Sequence, residues 1–198
     1  MPPGTDYFAL FDLPHKLRID LTDLEQRFHQ LSWRLHPDNF VLATDFERYL
    51  SLERSSVLND AYRTLRDPIS RVEYLLGQEN MRKEGQNKQK APPELLEEVF
   101  ELNESLDELR MARQAGGDGE EMAALRKRLE AAEKHFEERL AEVDGELDRA
   151  FGEWDAALDA GADVDARGTI MTRMNDILNR RSYIRNLVAN VQKELAEA

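Results

Sequence analysis

Apolar residues recur along this 198-residue chain at helical spacing, and no segment shows the strict alternation of a half-buried strand. Leu24, Phe28, Leu31 and Leu35 follow at i, i+4, i+7 and i+11 and predict one amphipathic helix. Thr22, with Glu25 three residues on, predicts a capping box at its start. Pro37 ends it and biases His36 away from helical geometry. A short helix over Tyr7–Asp12 precedes it, capped by Thr5 or Asp6 and ended near Pro14. A second long helix, from about Asp45 to Arg66, places Leu50, Val57, Leu58, Ala61 and Leu65 on one face and stops at Asp67-Pro68. Ile69, Val72 and Leu76 predict a further turn or two, with Gly77 as terminator. Two such helices joined by a polar loop should pack antiparallel.

Residues 80–91, NMRKEGQNKQKA, lack periodicity and read as a linker or surface loop. After Pro92-Pro93 the pattern predicts three long helices. The first runs to about Arg113 and ends at AGGDG; the second, from about Glu120 to Leu158, carries Met122, Leu125, Leu129, Ala132, Phe136, Val143 and Ala150 at near-heptad spacing. The third, from about Ala166 to the C-terminus, aligns Ile170, Met174, Ile177, Ile184, Val188, Val191 and Leu195. The expected fold is all-α: an antiparallel helical hairpin with short flanking helices in 1–79, a linker in 80–91 and a three-helix bundle in 92–198.

Charge sharpens this division. The net of −13 is spread as −1 over residues 1–91, −14 over 92–164 and +2 over 165–198, which predicts two modules with different surface work. Phosphate binding needs clustered Lys and Arg, so nucleic acid is a poor partner for most of this surface. No apolar run approaches a membrane span, and the first residues lack a signal-peptide core, so a soluble cytoplasmic protein is expected. With no cysteine, disulfides and thiolate-held metals are excluded. His15, His29, His36 and His135 show no metal-ligand spacing, and there is no phosphate-binding glycine loop and no nucleophile–base pair. Neither an enzyme nor a bound metal or cofactor is expected.

Two features ask for more than a fold. Arg27 and Arg34 fall together beside the apolar stripe of the Leu24–Leu35 helix, with Gln30 between them, and this basic strip leads into His36-Pro37-Asp38. Two arginines alone suit a solvated flank, and Pro and Asp are ordinary turn residues. The combination, set between two antiparallel helices, is more specific. In the acidic half, Leu95, Val99, Leu102, Leu106 and Leu109 form a core stripe, while Leu96 and Phe100 lie about 100–140° round the helix from it, beside Glu97, Glu101 and Glu104. These two either widen the core contact or form a partner surface with apolar anchors and a selecting rim of charge. Tyr183 and Leu187 sit off the core stripe of the last helix in the same way. Arg181 falls on that stripe and has no account at this level.

The segments DYFALFDLP, RFHQLSWRLHPDNF and LNDAYRTLRDPISRVEYLLG resemble the J domain of co-chaperones that activate DnaK-type chaperone ATPases. With the acidic three-helix remainder, the whole chain resembles the HscB (Hsc20) co-chaperones of iron–sulfur cluster assembly, more loosely over 116–168, where it is longer. The resemblance implies that His36, Pro37 and Asp38 trigger ATP hydrolysis on an HscA-like DnaK-type partner, and that Arg27 and Arg34 meet an acidic surface of it. Asn39 stands where relatives often carry Lys. It also implies that Leu96, Glu97, Phe100, Glu101 and Glu104, aided by the aromatic Tyr183, bind the iron–sulfur cluster scaffold protein. Glu97 and Phe100 depart from the Met and aliphatic side chains of some relatives. Two other readings stand beside it: a J-domain co-chaperone with a different client, and a helical interaction protein in which the tripeptide is only a turn.

Overall fold

A computed structural model of the chain describes residues 5–35, 44–79, 92–117 and 119–197. Among them the α-helices are α1 (Tyr7–Leu10), α2 (Leu21–Leu35), α3 (Asp45–Arg66), α4 (Pro68–Gln78), α5 (Leu96–Ala115), α6 (Gly119–Asp159) and α7 (Val164–Glu197), with a 3₁₀ turn at Pro93–Leu95 and no strand. The expected linker, 80–91, lies outside the described residues.

The helix ends have local causes, and two differ from expectation. Asp20, not Thr22, caps α2: its Oδ1 accepts from the backbone N–H of Thr22 at 2.8 Å and of Asp23 at 3.2 Å. The helix begins at Leu21, so Thr22 already stands inside it with its own N–H in need of a partner. A capping box forms instead on α3, where the Glu47 N–H donates to the Thr44 hydroxyl and the Thr44 N–H donates to the Glu47 carboxylate. The Thr44 N–H and hydroxyl, both donating to it at 2.8 Å, hold the Glu47 carboxyl below its ordinary range. Asp67 ends α3 and caps α4 by accepting from Ser70 N–H at 2.7 Å, with Pro68 as the first helical residue. Gly77 does not end α4. The helix runs to Gln78, whose side-chain amide donates to the Tyr74 hydroxyl one turn back. Gly116 (φ 70°) ends α5 in the left-handed conformation, and Gly161 (φ 63°) does so after α6.

The chain forms two compact units. In the first, residues 5–79 group with Phe151–Thr172, the α6–α7 turn and its flanks. Phe8, Phe11, Leu17, Leu24, Leu58, Ala61, Leu65, Val72, Leu75 and Leu76 are buried here, Tyr7 stacks on Tyr74 and Phe28 on Tyr62, and α2 packs along α3 as the hairpin reading requires. The grouping of 151–172 with the N-terminal residues rests on the 13–20 loop. Asp155 accepts from the N–H groups of Leu17 (2.7 Å) and Arg18 (2.9 Å), Trp154 Nε1 donates to the His15 carbonyl at 2.8 Å, and Lys16 pairs with Asp159 at 2.7 Å. From the other side the buried Arg71 guanidinium donates to the carbonyls of Leu17, Leu65 (2.6 Å) and Arg66 (3.3 Å). Gly152 leaves room for this loop, since a Cβ there would meet the Arg18 guanidinium at 3.2 Å.

The second unit comprises residues 92–150 and 173–197. Leu95, Val99, Leu102, Leu106 and Leu109 are buried as expected, together with Leu125, Leu129, Phe136, Val143, Leu147, Met174, Ile177, Ile184, Val188, Val191 and Leu195. Ion pairs tie the helices together. Arg110 and Arg113 converge on Glu194 at 2.5 and 3.7 Å, Arg128 pairs with Glu108 at 2.7 Å, and Arg180 reaches Glu94 and Glu146. Arg181 is explained the same way. Its Nε donates to Asp144 at 2.5 Å, so a cation on the core stripe is neutralised at the edge of the bundle.

Candidate functional sites

The first candidate site follows α2. His36, Pro37, Asp38 and Asn39 lie outside the described residues. What precedes them is held firmly: Leu35, the last residue of α2, offers its carbonyl to two α3 hydroxyls, Ser51 at 2.7 Å and Ser55 at 3.1 Å. These hydroxyls satisfy an orphan carbonyl at the helix end. Their signal was available as two serines four residues apart, one turn of α3, but the partner lies 16 and 20 residues away.

Arg27 and Arg34 share a face of α2 as expected, yet their surroundings differ. Arg27 is half-buried and occupied: Nε donates to Asp23 at 2.9 Å, and Nη1 donates to the carbonyls of Phe11 and Asp12, each at 2.7 Å. The Asp23 hydrogen bond, partly opposed by desolvation, raises its pKa. Asp12 has φ 53°, a left-handed turn that Arg27 holds in place. Arg34 is exposed and makes no ion pair among the described residues. It stands at the rim of a groove lined by Leu10, Leu31, Leu35 and Leu50. Of the two arginines, Arg34 is the more exposed, whereas Arg27 has Nε and Nη1 engaged within the fold.

The second candidate site is the outer face of α5. The opposite face is the buried stripe, so Leu96 (56% exposed) and Phe100 (72% exposed) do not widen the core contact. Glu97, Glu101 and Glu104 are exposed beside them, and none makes an ion pair among the described residues. One helix therefore presents two apolar side chains with a row of unneutralised carboxylates along one edge. Such a surface suits a partner offering apolar and basic groups. Tyr183 stands in α7, half-buried, in a cleft with Pro92, Pro93, Glu94, Ile177 and Arg180. Burial raises the pKa of its hydroxyl. The structure thus places Tyr183 by the 3₁₀ turn that leads into Leu96.

Among the described residues, no group of three or more His, Asp or Glu could hold a metal ion, and no helix is long and apolar enough to cross a membrane.

No protein-family model matches the chain. A co-chaperone protein HscB homolog from Vibrio vulnificus is 36% identical over 155 residues, which cover 78% of this chain and 85% of the relative. The structure of chaperone HscB from Vibrio cholerae superposes with a TM-score of 0.55 at 26% identity, covering 96% of each chain. Human co-chaperone protein HscB superposes with a TM-score of 0.57, covering all of this chain and 86% of that one; at 22% identity it shows the fold alone. With that identity over most of both sequences, the chain belongs to the HscB co-chaperone family.

Proposed function

We propose that this protein is a cytoplasmic, non-catalytic co-chaperone of iron–sulfur cluster assembly. It stimulates the ATPase of a DnaK-type, HscA-like chaperone and delivers the iron–sulfur cluster scaffold protein to it, without nucleic acid or membrane. Residues 1–79 face the chaperone, 80–91 link, and 92–198 face the client.

The observation that carries this reading is the outer face of α5. Leu96, Glu97, Phe100, Glu101 and Glu104, residues that the family resemblance assigns to scaffold binding, stand exposed together on one helix whose opposite side is core. The apolar pair supplies affinity through desolvation and the carboxylates select a basic partner. In the first unit, α2 ends on Leu35, the last described residue before His36-Pro37-Asp38, with its carbonyl clamped by Ser51 and Ser55. Arg34 steers the encounter with an acidic surface, and Asp38 accepts charge-assisted hydrogen bonds from a partner arginine. The hydrolytic machinery belongs to the chaperone. Holding chaperone and scaffold on one chain makes their encounter effectively intramolecular.

Two measurements test this. In a single-turnover assay of an HscA-like chaperone, the wild-type protein accelerates ATP hydrolysis and His36→Gln does not; equal stimulation by both sinks the J-domain reading. In calorimetry with the scaffold protein, the wild type binds and the Leu96→Ala, Phe100→Ala double variant loses more than tenfold in affinity. No binding by the wild type assigns the acidic half to another client.

A further inference from the structure

Leu96 and Phe100 are not the only large apolar side chains that α5 turns outward. Met111 is 70% exposed. It lies three turns beyond Phe100, about 20° round the helix and about 16 Å along it. Between them the same face carries Asn103 and Asp107, both exposed. The three apolar residues therefore form a ridge along about three quarters of α5, about 22 Å from Leu96 to Met111. Scattered single hydrophobics are normal on any surface, but three on one face of one helix, with charge along an edge, are not scattered.

The charge is sorted by position. Glu98 faces inward to His135 (3.2 Å) and Arg139 (3.8 Å), Glu108 pairs with Arg128 at 2.7 Å, and Asp107 pairs with Arg110 at 3.3 Å. Glu97, Glu101 and Glu104 make no ion pair among the described residues and lie together on one side of the ridge. The opposite side carries Arg110, whose charge is taken by Glu194 and Asp107. The ridge thus has one acidic edge and one neutralised edge.

We propose that the docking face of α5 extends to Met111 and receives an elongated amphipathic segment of the scaffold partner lying along the helix, with apolar anchors at both ends and Lys or Arg on a single edge. The one-sided charge fixes which way round the segment lies, because the reverse orientation leaves its cations beside the neutralised edge. Met111 is the far anchor. This inference rests on the scaffold-binding reading above.

The test is calorimetry of the full chain with the scaffold protein, using wild type, Met111→Ala, Met111→Glu and the Leu96→Ala, Phe100→Ala double variant, each checked for an unchanged thermal melt. Met111→Ala is expected to weaken binding about fivefold to tenfold and Met111→Glu more than tenfold. Bound scaffold is also expected to slow amide exchange around residues 109–113. If the wild type binds, the double variant does not, and both Met111 variants bind like wild type, the extension to Met111 is overturned while the scaffold reading stands. If the wild type does not bind, both fall.

Discussion

Charged side chains do opposite work around the 13–20 loop and along the outer face of α5. At the loop they are turned inward, most of them onto backbone. Arg71 donates to three carbonyls, Asp155 accepts from two N–H groups, and Lys16 is held by Asp159. Burial lowers the pKa of Arg71, and the charges of Asp67 and Asp155 oppose that shift, so the cation stays useful as a donor in a place poor in water. On α5, Glu97, Glu101 and Glu104 meet neither backbone donors nor cations among the described residues. Both regions carry charged side chains. The difference is whether orphan backbone groups lie within reach: where a loop and a helix end leave them, charge is consumed in building the fold, and where a helix face is complete, charge remains for a partner.

Breaking the inward use should have the largest effect. Arg71→Met removes all donors to the carbonyls of Leu17, Leu65 and Arg66 and should cost about 3 kcal/mol in denaturant unfolding. A loss below about 1 kcal/mol would mean that water replaces the guanidinium and that the contrast with α5 is overdrawn.

Glu194 sharpens the contrast within α5's own contacts, since it draws Arg110 and Arg113 inward. The Arg110 hydrogen bond holds the Glu194 carboxyl below its ordinary 4.5, against the opposing effect of burial. Because the folded-state pKa is depressed, the contribution is complete above the unfolded-state value and is lost as pH falls through the folded-state one. Glu194→Gln should cost about 1 kcal/mol near neutral pH. Its stability should then fall less steeply than that of the wild type between neutral pH and acid, as read by melts over a pH series. Parallel curves would show that the cluster is not what the acid limb reports.

The smallest stability effect belongs to the outward charges. The triple change of Glu97, Glu101 and Glu104 to Gln should leave stability within about 0.5 kcal/mol. It should weaken scaffold binding and flatten its dependence on salt, because screening acts on exposed charge. A clear destabilisation would place these carboxylates among the residues that build the fold.

Much of this was legible in the residue pattern, for reasons that are local. The limits of α3 follow from Thr44 and Asp67, and those of α5–α7 from the glycine turns and the apolar period; each is set within a few residues of chain. The α5 wheel separated Leu96 and Phe100 from the core stripe, and the exposures decided between a wider core and an outer face. Even at short range two signals competed. Thr22 fits a capping box, but Asp20 stands just outside the first helical residue and takes the N–H groups first. Position alone puts Arg27 beside Arg34, and only the turn at Phe11–Asp12 shows that its Nε and Nη1 are engaged within the fold.

The sequence by itself determined the all-helical class, most helix limits, the uneven charge and the face on which the acidic patch stands, because helical period and capping act over a few residues. Only the tertiary structure decided which charges are consumed. Leu17 and Arg71 are 54 residues apart, and Leu17 and Asp155 are 138 apart. Hydrogen bonds over such separations leave no periodic trace, since the chain must first fold to bring an orphan backbone group to the side chain that satisfies it.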